Sequence, residues 1–358
     1  MRVCILGAGL SSLALAKALV NQNIFVDLFT QKKIEQIKKS RTLGISQSNI
    51  VFFNNNIIDI KKILWKIKKI EIFTENLKKE SILNFKNNNK EIFSIIRNYE
   101  LYEILKKTLK KNNFFKQTYY KKKLPNLKNY NLVINTDYLN SITRKFFNKQ
   151  IIKKYNSFAY TTLIHHKNVK NNVATQIFTK RGPLAFLPVS NISTSVVYSL
   201  HKKFNEKLEN IEDLIYKYNF KYNLTKIEKI NSFELNSYNL RSYYHNNILA
   251  FGDLLHKIHP LAGQGFNMTI RDIKILLEII NSRIDLGLEL DTSINIEFQN
   301  QLRHKNLLFS NGIDLIHEFF SFERKTNNKI LSKSVQLLGK NSFLNKIFMD
   351  VADKGSTY

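Results

Sequence analysis

The stretch from Asn247 to Ile273, NILAFGDLLHKIHPLAGQGFNMTIRDI, constrains this chain more than any other. Ile248 to Phe251 is an apolar run of strand length, Gly252 permits a tight turn, and Asp253 leaves an acceptor-only carboxylate at the strand's carboxyl end. Open α/β sheets bind ligands at that end, which positions Asp253 for a ribose hydroxyl. Pro260 breaks any helix arriving from upstream, so the backbone must restart, and Gly263 and Gly265 let the new helix approach a ligand with no Cβ in the way. The orphan N–H groups of that helix then face an anion or a polarised carbonyl.

The N-terminus carries a matching unit. Val3 to Leu6 feeds Gly7-Ala8-Gly9-Leu10-Ser11-Ser12, an Ala/Leu-rich stretch follows (Leu13 to Val20), and a second apolar run spans Ile24 to Phe29. This order predicts strand, glycine turn, helix and strand, with Ser12 in place of the third glycine. Such folds end the second strand with an acid that holds the adenosine ribose, whereas this chain has Thr30 there and Gln31 next. Asp27 is no substitute, since an offset of three residues along a strand points to the opposite face. Exchanging a charge-assisted bond of about 1.5–3 kcal/mol for a neutral one of about 0.5–1.5 kcal/mol predicts dinucleotide binding weaker by roughly tenfold, not abolished.

With both segments in view, the chain resembles the FAD-dependent aromatic hydroxylases of the para-hydroxybenzoate hydroxylase fold, and within them the ubiquinone-biosynthesis branch, whose members read much like GDxxHxxHPLAGQGxNxxxRD. Three further stretches extend the resemblance: Gly182 to Pro188 (GPLAFLP) to the family's substrate-domain strand, Asp137 to Arg144 (DYLNSITR) to its mid-chain Asp-Gly motif, and Leu302 to Leu315 to its C-terminal helix. Ser40-Arg41-Thr42-Leu43 resembles the arginine segment after the second strand, and Asn98 with Leu101 and Leu105 the helix over the cofactor. The mid-chain motif departs too: the family's Gly-Ala-Asp-Gly appears here as Asn135-Thr136-Asp137-Tyr138, and the loss of both glycines weakens the carry-over of nicotinamide binding more than that of FAD.

The resemblance implies an α/β (α+β) architecture: a Rossmann-like FAD-binding domain (1–68, 95–157 and 245–293) interleaved with an antiparallel-sheet substrate domain (69–94 and 158–244), then a C-terminal helical region (294–358). The strand-like runs Tyr160 to His165, Val173 to Thr179, Pro183 to Val189 and Thr194 to Leu200 suit that substrate sheet. Phe114 to Tyr130 is shorter than the family's usual β-meander. Carried over residue by residue, the FAD contacts are Gly7, Gly9, Ser12, Thr30, Arg41, Asn98, Asp137, Gly252, Asp253, Pro260, Gly263, Gln264, Gly265 and Asn267. The implied chemistry is reduction of FAD by NAD(P)H and transfer of one oxygen atom of O2 to a phenol ring, inside a dry cavity for which Phe178, Leu184, Phe186 and Leu187 are candidates. Plain core packing explains those four equally well, and no catalytic side chain is identifiable.

Other residues bound the function. Cys4 is the single cysteine, so neither a disulfide framework nor a multi-cysteine metal site is possible. Asp253, His256 and His259 fall within seven positions, but Pro260 interrupts the helix that would align them, and no metal is expected. Met1 to Ala18 superficially resembles a signal peptide, yet cleavage would remove the glycine turn. The net charge of +28 has two readings. Runs such as NNNIIDIKKILWKIKKIEIF express a strongly A+T-biased genome; alternatively, the charge draws the protein to anionic lipid. No nucleic-acid recognition motif is present and no nucleic-acid partner is expected. The expected protein is a cytoplasmic monooxygenase of ubiquinone formation acting on a polyprenylated phenol, with peripheral contact at the inner face of the cytoplasmic membrane or with a quinone-biosynthesis complex as the charge-based option. The alternative is a redox-impaired flavoprotein serving as accessory or scaffold of such a complex.

Overall fold

Buried parallel strands need apolar side chains on both faces, and β1 (Arg2–Leu6) supplies them: Val3 to Leu6 are 0% exposed. The computed structural model describes residues 1–31, 39–75, 80–86, 91–121, 124–201, 210–259, 263–326, 333, 336, 350, 351 and 353–355. From β1 the chain passes through α1 (Leu10–Asn21) into the parallel β2 (Phe25–Thr30), and β8 (Phe115–Tyr119) extends the sheet beyond it. On the other side of β1 lie β9 (Leu132–Asn135) and β17 (Ile248–Ala250), both parallel, and then the antiparallel β16 (Tyr244–His245). Strand order therefore reverses at β1, and the crevice at the carboxyl ends of β1 and β9 is where such a sheet accepts a ligand. The segment expected to be a shortened meander supplies β8 as an edge strand of this sheet.

A second, nine-stranded sheet is mostly antiparallel. β10 (Gln150–His166), β13 (Ser193–His201), β12 (Gly182–Ser190) and β11 (Val173–Thr179) lie side by side, followed by β5 (Lys69–Thr74), parallel to β11, and β6 (Ser81–Lys86). On its other flank β10 pairs with β15 (Asn231–Leu240) and β14 (Leu224–Ile227), and β18 (His256–Lys257) lies beyond β15. Strand alternation gives this sheet two different faces. One packs Ile164, Ile177, Leu184, Phe186, Val196 and Tyr198 against Leu214 and Ile215 of α5 (Ile211–Tyr218). The other carries Ser195, whose Oγ accepts from Thr42 Oγ1 (2.9 Å) in a third, smaller sheet.

A small antiparallel sheet of β3 (Thr42–Ser46), β7 (Phe93–Arg97) and β4 (Trp65–Ile67) links the layers. α2 (Gln47–Asn56), α3 (Asn98–Lys110) and α6 (Gln264–Asp285) pack with α1 in the main core, α4 (Ser141–Phe146) follows β9, and α7 (Thr292–Thr326) runs from that core to the second sheet. Two strands cross the expected domain limits. β10 begins at Gln150 and runs unbroken through 157 into the second sheet, and β7 begins at Phe93 but pairs with β3 and β4, because backbone pairing follows the linking sheet.

Two long-range contacts fix the β3–α2 junction. Asn267 of α6 donates to Gly44 O (3.0 Å) and accepts from Ser46 N (3.0 Å) and Asn49 Nδ2 (3.0 Å). Asp353 accepts at Oδ1 from Ser48 N (2.9 Å), and its carbonyl oxygen accepts from both the Ser46 and Ser48 hydroxyls (2.9 and 2.8 Å), so a residue far along the chain caps α2. Among the described residues, no helix is long and apolar enough to cross a membrane.

Candidate functional site

Three loops meet at the strand-order reversal. Gly7 has φ +107°, and a Cβ there would stand 2.3 Å from Thr136 Oγ1 and 3.3 Å from Asp137 N, so the turn after β1 is pressed onto the loop after β9. Ser12, at the position of the third glycine, hydrogen-bonds Thr136 Oγ1 (2.7 Å), and Thr136 Oγ1 donates to Leu6 O (2.9 Å). The Ser12 and Thr136 departures are thus one feature: each hydroxyl completes the other. Gly252, with φ +64°, closes the third side, since a Cβ there would lie 2.7 Å from that of Ser11.

Space opens where the loops converge. Gly9 caps α1 without a side-chain bond, and a Cβ added to it meets no described atom within 4 Å. The first N–H groups of α1 therefore face a cradle that one methyl group would begin to fill, a setting for a pyrophosphate. Asp253 is exposed beside it, its backbone carbonyl accepting from the Tyr238 hydroxyl. Asp137 lies against Gly7 with Oδ1 accepting from Leu139 N (2.8 Å), while Tyr138 is 62% exposed.

Thr30 ends β2 at 7% exposure, and its carbonyl accepts from Tyr120 N (3.0 Å), the residue after β8. Sequence reasoning missed Tyr120. Its hydroxyl is buried with no hydrogen-bond partner among the described residues, and burial, then Asp137 and Cys4, pushes it up to about 12. The only sequence signal is an aromatic directly following the strand that pairs with the acid-lacking β2. Asp27, 5% exposed, is committed to Arg2 Nε (2.6 Å) and the Tyr130 hydroxyl (2.6 Å).

The crevice continues toward the second sheet. Arg41 and Asn98 are brought together by Asn98 N donating to Arg41 O (3.0 Å); the Arg41 side chain is exposed, and Asn98 Oδ1 is buried with no hydrogen-bond partner among the described residues. Gly263, with φ +64°, caps α6 and sits where a Cβ would be 3.2 Å from Gly44 N, whereas a Cβ on Gly265 meets no described atom within 4 Å. The α6 N-terminus is therefore open in front and packed behind. Gln264 is 7% exposed and Asn267 1%, its amide engaged at the β3–α2 junction. Pro260, with Leu261 and Ala262, lies outside the described residues.

The candidate dry cavity needs correction. Leu184 and Phe186 belong to the α5-covered face, because residues alternate along β12. Phe178 packs with Ile82, Ile72, Ile313 and Phe319, and Leu187 with Ile67, Phe93 and Trp65. Ser195's face joins small and medium residues beside two leucines: Thr161 and Ala185 pair with Val197 and Ala159 with Ser199, while Leu163 and Leu187 pair with Ser195. His256 pairs with Asp272 (2.5 Å), which also accepts from Asn306 Nδ2 (3.2 Å), while the His259 ring lies 4.8 Å from that of Tyr155. These two imidazoles and the exposed Asp253 thus serve three separate environments.

The orphaned Tyr120 hydroxyl and Asn98 carbonyl oxygen, together with the clear space at Gly9 and Gly265, fit an extended dinucleotide running from the α1 N-terminus to that of α6. Comparisons with known proteins agree. A family described as FAD binding domain matches residues 165–284. The chain is similar to the mitochondrial ubiquinone biosynthesis monooxygenase COQ6 of Danio rerio, 24% identical over 233 residues (53% of this chain, 48% of that protein). It is likewise similar to the 3-demethoxyubiquinol 3-hydroxylase of Escherichia coli, 27% identical over 200 residues (53% and 51%). The chain spans about half the length of the curated relatives it matches. In fold it is similar to p-nitrophenol 4-monooxygenase PnpA from Pseudomonas putida (TM-score 0.79, 12% identity, 99% of this chain and 98% of that one). Klebsiella pneumoniae HpxO, solved with FAD and uric acid, gives TM-score 0.75, 11% identity and coverage of 99% and 96%.

Proposed function

We propose that this chain, which has the fold of the FAD-dependent monooxygenases and resembles their ubiquinone-forming branch in sequence, is a flavin-dependent aromatic-ring hydroxylase acting on a polyprenylated phenol. The observation that carries the reading is the meeting of the Gly7–Gly9 turn, Asp137, Gly252–Asp253 and the open α6 N-terminus in one crevice facing a sheet of small side chains. Bound FAD would supply electrons taken from NAD(P)H and the activation of O2 for transfer to an electron-rich ring.

The chain's own residues divide the remaining work. The α1 N-terminus beyond Gly9 holds the pyrophosphate, and Asp253 accepts from a ribityl or ribose hydroxyl. Tyr120 takes over the adenosine-ribose contact that Thr30 gives up. The N–H groups at Gly263 to Gly265 place fixed partial positive charge where the cofactor's reactive ring gains electrons. Ala159, Thr161, Ala185 and Val197 leave room for a flat ring, and the apolar packing around Leu187 and Phe178 keeps bulk water from the inner end. The proposed location is the cytoplasm, with basic side chains holding the protein at an anionic membrane surface where a long-tailed phenol resides.

The test is whether the purified protein carries FAD and whether an alkylphenol stimulates its NADPH oxidation in air. Flavin without any stimulated oxidation would instead assign the accessory role, and absence of flavin would sink both.

A further inference from the structure

We infer that a second ligand site, for a neutral hydroxyl-bearing amphiphile, lies in the groove of about 290 Å³ between α7, the start of β10 and the end of β15. Its floor contains Asn239, 7% exposed, whose Nδ2 donates to Ser310 Oγ (3.0 Å) while its Oδ1 has no hydrogen-bond partner among the described residues. A buried acceptor left unmade is unfavourable, and a donor arriving from the groove would relieve it.

The charges beside it select which donor. Lys153 bridges Glu318 (2.5 Å) and Asp314 (3.5 Å), and Asp314 also accepts from the Tyr155 hydroxyl. Both carboxylates are already matched, and an ammonium would approach Lys153 at close range, so a hydroxyl fits better than a cation. The walls set the rest of the molecule. Ile151 (46% exposed), Leu307 and Leu315 (68%) line the groove, and Leu308 (62%), seven residues before Leu315 on the same helical face, carries the apolar strip outward. A polar head at Asn239 with a hydrocarbon tail along this strip satisfies both halves.

The groove is coupled to the flavin crevice through one side chain. Tyr155 is tied to the groove by Asp314, and its ring lies 4.8 Å from that of His259, the last described residue before Gly263 and α6. A long-tailed phenol held here would wait one tyrosine away from His259. The phenolic ring rests on the proposed function; the hydroxyl and the tail rest on the groove alone.

The experiment is isothermal titration of the flavin-loaded full chain with 4-heptylphenol and with its methyl ether, which cannot donate. The wild type is expected to take up two equivalents of phenol, and Asn311→Trp, on the exposed rim, one. The ether should fill the groove about tenfold more weakly, as should the phenol in Asn239→Leu. If the wild type takes one equivalent and Asn311→Trp none, the ring-hydroxylation site fails and the groove stands. Unchanged stoichiometry in Asn311→Trp, or an ether that binds the groove as tightly as the phenol, overturns the second site.

Discussion

Tyr120→Phe removes one oxygen atom and leaves the ring. In the flavin-free protein that hydroxyl is buried with no hydrogen-bond partner among the described residues, so its loss is expected to leave thermal stability unchanged or slightly raised. In the flavin complex it is assigned to the adenosine ribose, where a neutral hydrogen bond contributes about 0.5–1.5 kcal/mol; losing it weakens FAD about 2- to 13-fold. FMN has no adenosine and should bind both proteins equally. Quenching of flavin fluorescence on titration with apoprotein gives both constants. Because Thr30 lies next to Tyr120 through a backbone hydrogen bond of 3.0 Å, Thr30→Glu should restore FAD binding in the Phe variant. Equal losses for FAD and FMN would place the hydroxyl elsewhere, and no loss for FAD would remove Tyr120 from the site.

Four further outcomes are expected. Gly7→Ala forces a Cβ to 2.3 Å from Thr136 Oγ1 at φ +107° and should lower stability by about 1–3 kcal/mol, whereas Gly9→Ala should melt like the wild type yet lose FAD; equal melting of the two would refute the contrast. Asp272→Asn weakens the hydrogen bonds that the carboxylate accepts from His256 and Asn306 in the core and should lose about 1.5–3 kcal/mol in urea unfolding, and a loss under about 0.5 kcal/mol would show that the pair contributes little. Burial, then Glu103 and Tyr119, pushes Tyr102 up to about 12 from 10.0; its folded value exceeds its unfolded one, so the associated stability is complete below pH 10 and lost as pH rises through 12. Tyr102→Phe should flatten that alkaline loss by roughly 2 kcal/mol, read as the unfolding midpoint between pH 9 and 12. Finally, flotation with anionic vesicles should fall steeply with salt, because exposed charges are screened over about 8–10 Å, while flavin binding in the crevice barely changes; equal flotation with neutral vesicles would reduce the charge to genome bias.

The parallel sheet was legible because burial on both faces writes itself as uninterrupted apolar runs: Val3 to Leu6 and Ile248 to Phe251 become β1 and β17 with little adjustment, and Asn98 to Lys110 is α3. β15 was not legible. Its sequence NSFELNSYNL places Phe233, an apolar residue, on the exposed start among Asn231, Ser232 and Glu234, and the strand is held by pairing with β10, not by its own pattern. Facing was harder still than existence: the run Pro183 to Val189 announces a strand, but only α5, which arrives from residues 211–218, decides that Leu184 and Phe186 face away from the crevice. Thr30 reads as a deficit along one strand; Tyr120, the residue proposed to answer it, stands one position past the end of the neighbouring strand, and pairing, not spacing, brings it there.

The contact between Gly252 and Ser11 sets an order of events during synthesis. Glycine turn, α1 and β2 can assemble as soon as they leave the ribosome, but the third wall of the crevice arrives only with β17 and the turn after it. Until then β9 has an open edge, and the crevice at the α1 N-terminus lacks the wall that Gly252 builds against Ser11. The β9 edge of the nascent chain is therefore the surface that needs shielding during that interval.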